Sequence, residues 1–205
     1  MRKGMLLVIS GPSGAGKGRL KELLIDRLGG FHFSVSATAR PIRQGVEVNG
    51  VDYWFITPEQ FDKMNAEGAF LETAVVHGHS YGTPVAPVRK ALDEGLDVLL
   101  EIDTQGALMV RDKMPDCAMV FILPPSFAVL ERRLRRRMTN SDADIERRLQ
   151  NARNEISQID RYDYMIVNDD LESAYGKLSA FVVARRLRTS GDQPGVFWPS
   201  QATNG

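Results

Sequence analysis

A single cysteine, Cys117, leaves no sulfur partner for an intramolecular disulfide, and with only three histidines beside it no zinc-ligand spacing can be written. A reducing compartment suits such a chain, and a cytoplasmic location is the expectation. Excess charge of either sign is also missing. Lys plus Arg and Asp plus Glu both number 26, so bulk positive charge is not available to coat nucleic acid or an anionic membrane, and neither partner is expected. No apolar run approaches the ~18 residues of a membrane span. The first such run, Met5 to Ile9, is too short for a signal-peptide core and ends in Ser-Gly-Pro. Nothing repeats along the chain, which excludes solenoids and propellers.

What is present suits one soluble globular unit. At 205 residues, 43% of them apolar and 25% charged, the chain can bury one substantial core. "MLLVIS" (Met5 to Ser10), "DVLLEID" (Asp97 to Asp103), "CAMVFIL" (Cys117 to Leu123) and "YDYMIVN" (Tyr162 to Asn168) are near-continuous apolar runs, the signature of strands covered on both faces. Helical spacing lies between them: Lys17 to Leu28, Val88 to Glu94, Gln105 to Lys113, Ser126 to Arg137 and Ile145 to Ile159, with a last helix from Leu171 to about Arg188. The alternation predicts an α/β fold, a parallel sheet with helices on both faces. From about residue 34 to 83 the alternation fails. That stretch is rich in Gly, Thr and aromatics, with a turn expected at Asn49-Gly50, a strand after it and a helix near Pro58 to Glu67, and it reads as an inserted mixed α/β subdomain. The whole divides into a core (about 1–33, 84–134 and 149–188), the insert (34–83), a short lid (135–148) and a C-terminal tail (189–205) rich in Gly, Pro, Ser and Thr.

Between the first buried run and the first helix lies "GPSGAGKG". Gly11, Pro12, Ser13, Gly14, Ala15, Gly16, Lys17 and Gly18 match G-x-x-x-x-G-K-[S/T] except at the last position. A glycine-rich turn opening a helix aims backbone N–H groups and the positive end of the helix dipole at one point, which suits a triphosphate, and Lys17 would reach its β and γ phosphates. Gly18 has no hydroxyl for a metal. Mg²⁺ would then be held by phosphates, water and a carboxylate, with Asp103, at the end of a buried strand, as the tentative choice.

The insert carries Ser36, Thr38, Arg40, Arg43 and Tyr53, two arginines beside hydroxyls that could clamp a smaller phosphate. Downstream, Glu72, Tyr81 and Thr83 offer an acceptor and two hydroxyls for a base edge. A solvated loop with surface arginines is the competing reading. Near residues 131–148, "ERRLRRRMTNSDADIERR" places Arg133 and Arg137 four apart on one helical face and Arg148 beyond a polar connector, a pattern for a closing lid or simply a solvated face. Asn168 follows the last buried run and could bind nucleotide or cap the helix that starts at Leu171.

Taken in order, "ISGPSGAGKG", "SVSATARPIR", "NGVDYWF", "FLETA", "GHSYGT", "LLEIDTQGA", "FILPPS", "LERRLRRR" and "IVNDDL" resemble guanylate kinases, members of the nucleoside monophosphate kinase group with a P-loop kinase fold. The resemblance runs from Met5 to about Ala184. It implies an ATP:GMP phosphotransferase that uses Mg²⁺ and acts in purine nucleotide recycling, as a monomer or homodimer. By the same resemblance GMP contacts Ser36, Arg40, Arg43, Tyr53, Glu72, Tyr81, Thr83 and Asp103, the arginines and tyrosines taking its phosphate, Glu72 and Ser36 its guanine. Arg133, Arg137 and Arg148 close over the phosphates, Asn168 meets the adenine nucleotide, and Lys17, Arg43, Arg137 and Arg148 stabilise the transferring charge. A carboxylate at 72 accepts from guanine N1–H and N2–H₂, whereas adenine would set an acceptor against it. A guanylate-kinase-like module for phosphorylated peptides, or a kinase for another nucleoside monophosphate, are the alternatives. Departures from the family pattern are Arg19 and Ala39 in place of Thr, an extra residue between Arg43 and Tyr53, Thr104 for a large aromatic, and Met138 and Asn140 in the lid.

Overall fold

A computed structural model describes residues 3–76, 78–136 and 142–188. Its centre is a five-stranded parallel sheet. The strands are β1 (Leu6–Ser10), β2 (Phe31–His32), β7 (Asp97–Glu101), β8 (Ala118–Leu123) and β9 (Tyr164–Val167), in the order β2-β7-β1-β8-β9. Val8 of β1 faces Leu100 on one side and Met119 on the other. Alternate residues of β1 serve opposite faces. Leu7 and Ile9 pack with Leu20 and Leu24 of α1 (Lys17–Leu28) and Leu178 and Val182 of α7 (Leu171–Arg186). Leu6 and Val8 pack with Val88 and Leu92 of α3 (Val85–Asp93) and Ala107 and Val110 of α4 (Thr104–Lys113). Each fully covered Leu or Val contributes about 1.5–3 kcal/mol, which makes these two layers the main source of stability.

Three expected strands lie inside the apolar runs, and β7 stops at Glu101, because Ile102 and Asp103 turn away to start α4. The short edge strand β2, pairing only Phe31 and His32 with β7, has no sequence signature. The helix expected from Val88 begins three residues sooner, since Pro87 in a first turn loses no hydrogen bond.

The foot of the sheet carries one buried charge. Asp97 accepts from the backbone N–H of Met5 at 2.8 Å and from Arg186 Nε at 2.8 Å, while Arg186 Nη2 donates to the Gly29 carbonyl at 2.8 Å.

Residues 37–84 add a second sheet, β4-β3-β6-β5, from β3 (Ala37–Thr38), β4 (Trp54–Phe55), β5 (Phe70–Val76) and β6 (His79–Pro84). The strand expected after Asn49-Gly50 is only β4, since Gly50 sits at φ 81° and Asn49 Oδ1 holds the Phe55 N–H, folding 49–53 into a turn. Helix α2 (Pro58–Ala66) opens with a reciprocal cap between Thr57 and Gln60. Lys113 Nζ donates to the Phe70 carbonyl at 2.6 Å, fastening α4 to β5.

Helices α5 (Phe127–Arg136) and α6 (Asp142–Ile156) share a small core of Leu130, Leu134, Ile145 and Leu149. α6 begins three residues before the expected Ile145. Arg137, Met138 and Asn140 lie outside the described residues, as does the tail beyond Arg188.

Candidate active site

The phosphate loop leaves β1 and enters α1 with Gly11 and Gly16 at φ 142° and 92°. Space as well as conformation demands glycine there. A Cβ on Gly11 would stand 2.1 Å from the Ile122 carbonyl oxygen, and one on Gly16 2.3 Å from Asn168 Nδ2. Lys17 folds back over the loop, donating to the carbonyls of Gly11 at 2.5 Å and Pro12 at 3.2 Å.

Asn168 proves to be part of the loop's support. It is buried, and its Nδ2 donates to the Ala15 carbonyl at 2.8 Å. The capping role considered for it belongs to Asp170, which accepts from Ser173 N–H at 2.8 Å. Arg133 spends its donors on the same corner, reaching the Gly14 carbonyl at 3.4 Å and the Asn168 carbonyl at 3.1 Å.

The loop opens into a cleft of about 670 Å³ bounded by Ser13, Lys17, Glu22, Glu101, Asp103 and Glu155. A Cβ at Gly18 would lie 3.8 Å from Glu101 Oε1, so a carboxylate stands beside the position where a hydroxyl is usual. Glu101 is held by Lys21 at 2.7 Å. Asp103 spends Oδ1 on the N–H of Gly106, capping α4. Glu155 enters from α6. Its Oε2 is buried without a hydrogen-bond partner among the described residues, and burial pushes its carboxyl up while Lys17 pulls it down. Burial likewise pushes the Tyr162 hydroxyl up to about 12. Sequence reasoning missed Glu101 and Glu155. Glu155 had one readable signal, its place two turns beyond Arg148 on the same helical face. Arg148 is half-buried and makes no hydrogen bond or ion pair among the described residues.

Arg19 stands at the rim of this cleft. Its Nη1 lies 2.9 Å from Glu22, and both side chains are mostly exposed.

Within the insert, Arg40, Tyr53, Phe55 and Tyr81 come together. Arg40 Nε donates to the Tyr81 hydroxyl at 3.1 Å, and its guanidinium lies 5.3 Å from the ring centres of both Tyr53 and Phe55. Glu47, another residue the sequence did not single out, grips the other edge of Arg40 and accepts from the Arg43 N–H at 2.9 Å. Arg43 itself is exposed, and Ser36 is half-buried at the start of β3.

Glu72 is buried on β5, its Oε1 accepting from the Thr83 hydroxyl at 2.6 Å. Its Oε2 lies 3.2 Å from where a Cβ of Gly106 would be, so the carboxylate overhangs the start of α4 beside Asp103. Burial raises its pKa above the ordinary carboxyl value, and the charge of Asp103 adds to the rise. No three His, Cys, Asp or Glu among the described residues converge to form a metal cage. The arrangement is chemically an anion cradle with its lysine, an arginine-aromatic cluster in the insert, and a buried carboxylate beside Asp103 that can read a polar edge.

Comparison with known proteins places this geometry in a family. Residues 3–185 match the family model for guanylate kinase. The chain is 50% identical over 189 residues to the guanylate kinase of Syntrophotalea carbinolica, covering 92% of this chain and 90% of that one. It is 50% identical over 188 residues to that of Carboxydothermus hydrogenoformans, covering 92% of each. Among solved structures, the guanylate kinase from Anaplasma phagocytophilum superposes with a TM-score of 0.67 at 35% identity, covering 92% of this chain and 89% of that one.

Proposed function

From the premise that this chain belongs to the guanylate kinase family and transfers phosphate from ATP to GMP, we propose how its own residues divide that work. Its fold is that of the P-loop kinases, and the phosphopeptide-binding and other-substrate readings are not favoured. The observation carrying the proposal is the pairing of an intact glycine cradle and Lys17 with the buried Glu72, which stands beside Asp103 of the same cleft.

ATP lies with its phosphates on the N–H groups of residues 11–18, and the cation of Lys17 leaves the Gly11 and Pro12 carbonyls to meet the β and γ oxygens. GMP occupies the insert: Arg40, Arg43, Tyr53 and Tyr81 take its phosphate, while Glu72, Ser36 and Thr83 take its base. Glu72 is held for this by Thr83 and must be ionised to accept from both guanine donors. Asp103, beside both sites, meets GMP. Phosphoryl transfer needs little covalent help from protein, so rate comes from holding donor and acceptor in line and from surrounding the charge with Lys17, Arg43, Arg137 and Arg148. Residues 135–148 form the lid that excludes water, residues 34–83 the GMP-binding part, and the remaining sheet and helices the core.

Mg²⁺ fits this cleft as an ion carried in on ATP phosphates: no protein cage exists among the described residues, yet Glu101, Asp103 and Glu155 supply carboxylates around the loop. Bound there it would neutralise charge on the β and γ phosphates. The enzyme would work in the cytoplasm, in purine nucleotide recycling.

A coupled assay with ATP and Mg²⁺ against GMP, AMP, UMP and dTMP tests the reading. Turnover with GMP far above the other acceptors is expected, and equal rates would overturn the role of Glu72.

A further inference from the structure

The cleft beside the phosphate loop is bordered by carboxylates that differ in what they already hold. Glu22 is paired with Arg19 at 2.9 Å, Glu101 with Lys21 at 2.7 Å, and Asp103 accepts from the Gly106 N–H at 2.7 Å. Glu155 alone of this group has an oxygen that is buried and lacks a hydrogen-bond partner among the described residues. A buried acceptor left without a donor is costly, so the free valence of Oε2 is open to a donor that enters the cleft with its ligand.

The chemistry of the cleft narrows what that donor is. A carboxylate meeting a polyphosphate directly would set anion against anion. A hydrated cation between them removes the conflict, because its bound waters donate strongly to both. Gly18 has no hydroxyl to offer such an ion, so its bound waters would remain for other acceptors. We propose that Glu155 is a positioning residue for the metal-nucleotide complex, its Oε2 accepting a hydrogen bond from a water on the Mg²⁺ that ATP brings to the loop. The proposal rests on the ATP site assigned above.

The placement on α6 adds a consequence. Arg148 lies two turns earlier on the same face, so one rigid helix carries both a cation for the phosphates and an acceptor for the metal's water. Metal-nucleotide binding would therefore draw α6 toward the loop through both contacts.

The test is calorimetric binding of a non-hydrolysable ATP analogue to the full chain, with Mg²⁺ and again with EDTA, for wild type, Glu155→Gln and Glu155→Ala. Mg²⁺ is expected to tighten binding in wild type, and both variants should lose about tenfold or more of that tightening, while affinity in EDTA stays within about twofold. GMP affinity should not move. Equal losses with and without Mg²⁺ would show a structural role only, and no loss would show no role; either overturns the proposal. Should the alanine variant fold poorly by thermal melt, the near-isosteric glutamine decides. A wild type that binds the analogue under neither condition would instead break the assignment of the ATP site.

Discussion

Arg40 and Glu47 meet fork to fork, with Nη1 2.8 Å from Oε2 and Nη2 2.5 Å from Oε1, and their side chains are only 10% and 11% exposed. With Tyr81 on Nε and aromatic rings alongside, the guanidinium is fixed before any phosphate arrives. The hydrogen bonds from Arg40, then from the Arg43 N–H, hold the Glu47 carboxyl at about 2, below its ordinary 4.5. A depressed carboxyl stabilises the fold fully above the ordinary value and loses that contribution as pH falls toward about 2. Thermal melts across this window should therefore show a steeper loss for wild type than for Glu47→Gln; parallel curves would refute the pairing. At neutral pH the same variant should raise the KM for GMP and leave that for ATP unchanged.

Lys17 supplies the charge nearest the transferring group. Lys17→Ala should lower kcat by at least ~10²-fold with little change in the KM for GMP. A coupled assay that finds an unchanged rate would remove the loop from the mechanism.

Glu72 gives a pH signature of its own. Because burial raises its pKa, it protonates above the ordinary carboxyl range, and a protonated Glu72 loses one acceptor for guanine. The KM for GMP should climb as pH is lowered through that range in wild type. In Glu72→Gln it should be high throughout and flat, with ATP binding unaffected; equal losses for both nucleotides would mean that the residue does not read the base.

Arg19 is exposed and, among the described residues, tied only to Glu22, a surface pair worth about 0–1 kcal/mol. Arg19→Thr should keep kcat within about twofold of wild type. A large drop in steady-state rate would mean that the guanidinium swings onto phosphate during turnover.

The parts legible in sequence share a property: their residues act through neighbours along the chain. β1, β7, β8 and β9 announce themselves because strands covered on both faces are apolar almost without interruption, and the phosphate loop because its glycines recur within one short stretch. The two-residue strands β2 and β3 carry no period and were invisible, and of the strand expected after Asn49-Gly50 only the two residues of β4 exist. The carboxylates at 47, 101 and 155 were passed over for a different reason. Their meaning lies in what stands across space from them: Arg40, Gly18 with Lys21, and the loop cleft. Asn168 shows the ambiguity directly, since a polar residue ahead of a helix suggests a cap, and only the fold shows its amide on the Ala15 carbonyl.

The ion pair at the foot of the sheet bears on how the protein is made. Asp97 leaves the ribosome 89 residues before Arg186, yet it belongs to a central strand and is fully enclosed. Removing one partner of a buried ion pair is strongly destabilising, and Arg186 also ties Asp97 to the Gly29 carbonyl at the end of α1. The nucleotide cradle is therefore complete in sequence early in synthesis, while the sheet beneath it gains one of its clasps only when the final turn of α7 has emerged. A nascent chain halted before Arg186 should be digested by protease far faster than one halted after it.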